Sequence, residues 1–174
     1  YPHQHRIVGN DPKAGTTDLA GREAMVRRFE QSLALARLLA AAGYETFQAG
    51  KWWEGSPASG GFAEGMTHGD PKRGGRHGDV GLTIGRQGLK PVLDFLDRAA
   101  GAGKGADSGD KPFFLWYAPM MPHEPHNPPK RLLDKYAAPG RPATLAAYFA
   151  MCEWFDETCG ELLDALDARG LAAD

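Results

Sequence analysis

The chain has 174 residues, with 20 basic and 22 acidic side chains and a formal net charge of -2. That length suits one domain, or a large piece of a bigger one, and leaves ample material for a core. The near-neutral balance argues against nucleic acid as the main partner, and no stretch is long and apolar enough to span a bilayer.

Residues 1–22 are polar and read as an irregular connection. From about Glu23, apolar positions at Met25, Phe29, Leu33, Ala36 and Leu39/Ala40 predict one helix, which Gly43 closes. The segment "YETFQAG" (Tyr44 to Gly50) predicts a short strand. Helix, glycine, strand and loop in that order form an α/β signature. From Lys51 to Gly85 glycine dominates and no period is sustained. A loop of this length is functional or disordered; the paired tryptophans Trp52 and Trp53 and two copies of "HGD" favour a structured one.

A second helix is predicted over Arg86 to Ala100, with Leu89, Val92, Leu93 and Leu96 on one stripe and Pro91 in its first turn. Ala100 to Asp110 reads as an exposed turn. The run "PFFLWYA" (Pro112 to Ala118) predicts the strongest strand, covered on both faces as in a mostly parallel sheet. A short helix over Lys130 to Tyr136 is broken by "APGRP". A long helix over Ala143 to Arg169 comes next, with Leu145, Tyr148, Phe149, Cys152, Phe155, Cys159, Leu162, Leu163 and Leu166 on its apolar side. Gly170 closes it. Cys152 and Cys159 would lie about 10.5 Å apart along that helix, beyond the roughly 7 Å a disulfide tolerates. They read as packing residues and leave the redox compartment open.

Two places carry residues suited to chemistry. Lys51 directly follows the first strand, where a cation either meets an anion or is an ordinary exposed lysine. The loop "PMMPHEPHNPP" (Pro119 to Pro129) directly follows the second strand. Its prolines forbid a regular helix and leave few donors for a sheet, so His123 and His126 stand on a stiff loop at a strand end, where α/β sheets bind ligands. The alternative is a proline-rich surface turn. Two histidines suit acid–base work or anion contact, and make an incomplete metal site. His68 and His77 of the "HGD" copies raise a metal question too, but such turns also make purely local hydrogen bonds. No phosphate-cradling glycine loop and no nucleophile elbow is present. The residues alone define an α/β segment with an anion-friendly strand end, and no reaction.

The blocks "LARLLAAAGYETFQAGKWW", "PFFLWYAPMMPHEPHNPP" and "YFAMCEWFDETCGELLDALDARG" resemble, in this order, three blocks of the type I sulfatases of the alkaline-phosphatase-like superfamily. The opening "YPHQHRIVGNDP" is similar to the segment just after that family's nucleophile signature. The resemblance implies an alkaline-phosphatase-like α/β fold, a mixed sheet flanked by helices that is incomplete in this chain. Residues 1–174 are expected to be the central part of a single catalytic domain. A formylglycine nucleophile and calcium are implied as cofactors, with the nucleophile expected upstream of Tyr1, an aspartate pair for the metal before it and an Asp–Asn pair after Asp174. Lys51 matches the family's sulfate-contacting lysine and His123 its strand-end histidine, so both are expected to be catalytic. His126 matches a second loop histidine and is expected to bind substrate.

One position departs from the pattern. Trp53 stands where the family usually has a histidine that helps regenerate the nucleophile. His68 or His77 of the glycine loop is a candidate substitute, and His77 is expected among the substrate contacts. The implied substrate is a small sulfate ester or a sulfated carbohydrate, and the implied location periplasmic or extracellular. A phosphodiesterase or phosphonate hydrolase of the same superfamily, and a catalytically silent protein that binds sulfated glycans, are the competing expectations.

Overall fold

The computed structural model describes residues 5–12, 18–70, 80–102 and 111–172. Helix α1 (Asp18–Glu30) and helix α2 (Leu35–Ala41) lead into strand β1 (Glu45–Gly50). A 3-10 turn (Pro57–Gly60), strand β2 (Glu64–Gly65) and a second 3-10 turn (Val80–Thr83) lie within the glycine-rich stretch. Helix α3 (Lys90–Ala102), strand β3 (Phe113–Ala118), helix α4 (Lys130–Tyr136) and helix α5 (Ala143–Asp167) complete the order. The three strands form a parallel sheet in the order β2-β1-β3.

Strand β1 is the central strand and is buried from Thr46 to Gly50. Its side chains alternate between two different environments. Phe47 and Ala49 join Ile84, Leu89, Val92, Phe95 and Leu96 in the main core, where Phe47 stacks on Phe95 at 4.9 Å. Each such buried aliphatic or aromatic side chain is worth roughly 1.5–3 kcal/mol against exposure. Thr46 and Gln48 face the other way and tie down the glycine-rich stretch. Thr46 Oγ1 accepts from the Ala63 N–H at 2.8 Å, and Gln48 Oε1 accepts from the Thr67 hydroxyl at 3.1 Å. Buried polar groups must be paired, so these two residues fix where the loop runs. The described parts of the stretch, 51–70 and 80–85, are structured, as the paired tryptophans and the first "HGD" suggested. The second "HGD" copy, including His77, and residues 103–110 of the expected turn lie outside the described residues.

Several sequence expectations change. Helix α1 starts at Asp18, within the stretch read as irregular, and helix α3 at Lys90 rather than Arg86, which leaves Arg86 on a turn. The single helix over Glu23 to Gly43 is two, because the chain turns at residues 31–34. There the Ser32 hydroxyl donates to the Arg28 carbonyl at 2.8 Å, a local bond that competes with helix continuation. Leu33, placed on the apolar stripe, is 86% exposed. Strand β3 is only partly covered on its second face: Phe113, Leu115 and Tyr117 pack on the core, and on the opposite face Phe114 stacks on Phe62 at 5.8 Å whereas Trp116 is 44% exposed. Among the described residues β3 is an edge strand, which explains the difference. Helix α5 does not bury the whole apolar side expected of it; Leu162 and Leu166 pack against the core. Ala146, Ala150, Met151 and Thr158 are buried, and Leu145, Tyr148 and Leu163 are exposed. Small side chains let α5 approach its neighbours closely. Cys152 and Cys159 are free thiols, as their spacing requires. No helix among the described residues is long and apolar enough to cross a membrane.

Candidate active site at the carboxyl ends of the strands

The parallel register pairs Gly50 with Ala118, so β1 and β3 end side by side. The segments leaving the two strands are therefore brought together: Lys51 after β1, and the proline loop after β3. Glycine is required at this junction. Gly50 has φ +104, and a Cβ there would lie 2.0 Å from the Ala118 carbonyl oxygen. The close approach lets the Lys51 N–H donate to that same oxygen at 2.6 Å.

Lys51, His123 and His126 line one depression of about 520 Å³, together with Met120, Met121 and Tyr148. The sequence separates Lys51 from His123 by more than seventy positions, and the sheet places them on one rim. Lys51 and His123 are exposed, and the Lys51 ammonium makes no ion pair among the described residues. His123 Nδ1 lies 3.0 Å from the Glu124 carbonyl oxygen. A carbonyl only accepts, so this bond requires the proton on Nδ1 and leaves Nε2 for a ligand. The His126 ring packs against Tyr148 at 5.7 Å.

The loop is held from outside itself. The Met121–Pro122 and Glu124–Pro125 bonds are cis. Arg86, on a two-residue turn between Gly85 and Gly88, reaches across to it. Arg86 Nη1 donates to the Pro125 carbonyl (3.0 Å) and Asn127 Oδ1 (2.7 Å); Nη2 donates to the Met120 and His123 carbonyls, at 2.8 Å each. Burial lowers the guanidinium from its ordinary value, though an arginine remains a cation. Below the loop, the Tyr117 hydroxyl donates to Thr158 Oγ1 at 2.8 Å and ties β3 to α5. Burial pushes the Tyr117 phenol up, opposed in part by that bond.

Lys51 also borders a second cavity of about 610 Å³, lined by His5, Asn10, Phe29, Trp52, Trp53 and Trp116 among others. Trp53 meets Phe29 edge-on at 5.9 Å, and Trp52 meets Phe62 edge-on at 5.5 Å. His5 was not among the sequence candidates; the signal that pointed to it was its place in the segment resembling the stretch after the nucleophile signature. His5 Nδ1 accepts from the Ile7 N–H at 3.1 Å, so neutral His5 carries its proton on Nε2. His68 is elsewhere: its Nδ1 accepts from the Asp70 N–H at 3.0 Å, the local turn bond that glycine-rich sequences favour, and it lines neither cavity. His77 lies outside the described residues. Among the described residues no three His, Cys, Asp or Glu side chains are grouped to hold a metal ion, so calcium has no ligand set there.

The sulfatase family profile matches residues 1–174. Among solved structures, the chain is similar to Ps i-CgsB, crystallised in complex with k-i-k-neocarrahexaose, with a TM-score of 0.65 and 20% sequence identity. The match covers 98% of this chain and 42% of that one, so the chain spans less than half the length of that protein. At this identity the likeness establishes the fold, a parallel sheet flanked by helices that corresponds to part of a larger structure. No curated protein matches the chain.

Proposed function

The chain belongs to the sulfatase family, and from that premise we propose that the intact protein hydrolyses sulfate esters, with sulfated carbohydrates as its substrate class. The observation that carries this reading is the Gly50–Ala118 register, which sets Lys51, His123 and His126 around one open depression at the strand ends. One cation and two imidazoles there suit an anionic group carried on an alcohol. The carbohydrate bound by Ps i-CgsB supports a sugar substrate, and the tryptophans beside Lys51 suit a sugar or an aryl ring alike.

The family's formylglycine and calcium would supply the nucleophile and its activation, and the described residues build neither. The chain's own residues would act on the sulfate and on the departing alcohol. Lys51 would neutralise charge that grows on the sulfate oxygens as the S–O bond to the sugar breaks. His123, in its imidazolium form, would give its Nε2 proton to the leaving oxygen, while its Nδ1–H stays on the Glu124 carbonyl. His126, packed against Tyr148, would donate a hydrogen bond to sulfate. Trp53 occupies the family's usual histidine position, and the nearby His5 does not replace that base: its Nδ1 is engaged and its Nε2 already carries the proton.

The test is to incubate the full-length protein with a sulfated oligosaccharide, an aryl sulfate and a phosphate diester, and to measure released sulfate and phosphate. Sulfate release is expected. Faster turnover of the diester would assign the protein to phosphodiester chemistry. Tight binding of the oligosaccharide without release would make it a binding protein, the reading that Trp53 keeps open.

A further inference from the structure

Prolines at 119, 122, 125, 128 and 129 strip the histidine loop of backbone donors but leave every carbonyl. A loop with more acceptors than donors cannot satisfy itself, and its shape is then set by whichever donor reaches it. Here that donor is one side chain. Arg86 has four terminal N–H groups, and four loop acceptors take them: the carbonyls of Met120, His123 and Pro125, and Asn127 Oδ1. The acceptors span the whole segment around both histidines, and one belongs to His123 itself. The guanidinium is held in turn by its short turn. Gly85 (φ +80) and Gly88 (φ +85) flank Arg86 and Gln87, and a Cβ at Gly85 would lie 2.6 Å from Met121 Cε. The turn is thus pressed against the loop that its arginine clamps.

We propose that Arg86 is a positioning residue for His123: its fork fixes the proline loop in the one shape that keeps the His123 Nδ1–H on the Glu124 carbonyl and Nε2 toward substrate. The catalytic part of this rests on His123 being the proton donor of the proposed sulfatase reaction; the structural part does not. Lysine cannot replace arginine, because an ammonium has three donors around a point and no planar fork.

The test uses the full-length protein with Arg86→Lys, Asn127→Ala, His123→Ala and the Arg86→Lys/His123→Ala double variant, each checked for an unchanged fold. Nitrogen NMR of the histidine rings reports the first arm, and needs no activity. Neutral His123 should carry its proton on Nδ1 in the wild type and become a mixture of tautomers in Arg86→Lys, with faster amide exchange across residues 120–127. The second arm is kinetic. A misplaced catalytic group costs on the order of 10²-fold, so Arg86→Lys should lose about that much kcat on an alkyl sulfate, less on an aryl sulfate, with little change in KM. Asn127→Ala removes one acceptor of the four and should show the same pattern at smaller size. The double variant should be no slower than His123→Ala alone, since a residue acting through His123 has nothing left to position. Unchanged tautomer and exchange in Arg86→Lys, or losses that add in the double variant, would overturn the proposal. A wild type without sulfatase activity but with the expected ring and exchange changes would remove the proposed reaction and leave the clamp standing.

Discussion

Lys51 stands between two walls held by different forces. The proline-loop wall is polar: Arg86 satisfies its carbonyls, and His123 presents an Nε2 that can take up and return a proton because its Nδ1–H stays engaged. The tryptophan wall is held by rings, with Phe29 against Trp52 and Trp53 and Trp52 against Phe62. Its histidine, His5, has the opposite tautomer, since a backbone N–H occupies Nδ1. Two imidazoles bordering cavities that share one lysine are therefore not equivalent. The partner of Nδ1, a carbonyl in one case and an N–H in the other, decides whether the neutral ring accepts or donates at Nε2. The loop wall suits chemistry and the ring wall suits shape.

Substitutions can break this contrast in graded ways. His123→Ala should have the largest effect, a loss of kcat of ~10²–10⁴-fold on an alkyl sulfate. An activated aryl sulfate needs less protonation of its leaving group and should suffer less. Equal losses on both substrates would remove the proton-donor role and leave His123 as a sulfate contact. Lys51→Ala should come second, with ~10²–10³-fold on both substrates alike, because charge develops on the sulfate oxygens whatever the leaving group. A Lys51 effect that depended on the leaving group would place the lysine on the bridging oxygen instead.

Gly50→Ala attacks the junction on which both walls depend. The strained φ alone costs about 1–3 kcal/mol, and the Cβ also overlaps the Ala118 carbonyl. Denaturant unfolding should show a lower midpoint, and an unchanged midpoint would mean that the strand ends separate easily. Trp53→Ala should be smaller still. It removes an edge-on pair with Phe29 worth ~0.5–1.5 kcal/mol beyond its buried area, and it should leave the alkyl-to-aryl ratio of rates unchanged. A changed ratio would bring the ring wall into the chemistry.

The smallest effect concerns the outer anchor of the loop wall, where α4 docks on α5 through Arg131–Glu157 and Lys135–Glu153. Hydrogen bonds from Lys135 and Tyr136 hold the Glu153 carboxyl below its ordinary range, and one from Arg131 does the same for Glu157. A depressed carboxylate contributes stability that is complete above its unfolded value and is lost as pH falls through its folded value. Amide protection in α4, read as exchange relative to the intrinsic rate at each pH, should fall as pH drops from about 4.3, the unfolded glutamate value, through the depressed folded values, ahead of β1. These pairs are solvent-exposed, so the change should be slight and should shrink in high salt. No change across that window would show that the pairs contribute nothing.

Several features were fixed by the sequence alone. Helix α4 begins and ends where "KRLLDKY" does, because prolines precede it and "APGRP" ends it. Strand β1 was readable from its aromatic and β-favouring residues and the long helix from its periodicity, and the separation of the cysteines settled their free state. Lys51, His123 and His126 were readable as residues just past strand ends, and the ordered blocks made the family recognisable. Local pattern sufficed in these cases because it reports propensity over a few residues.

Tertiary structure decided what depends on partners distant in the chain. The break at Ser32 turns on a side-chain bond that competes with the helix, and the exposure of Trp116 on β3 being a sheet edge. The polar side of β1 acquires meaning only from Ala63 and Thr67, which it holds in place. Arg86 carried no signal in "IGRQG", because its four acceptors lie more than thirty residues away on a loop whose need for donors is visible only once it is folded. The tautomers of His5 and His123 were equally hidden: the same imidazole becomes donor or acceptor at Nε2 according to which backbone group the fold sets beside Nδ1.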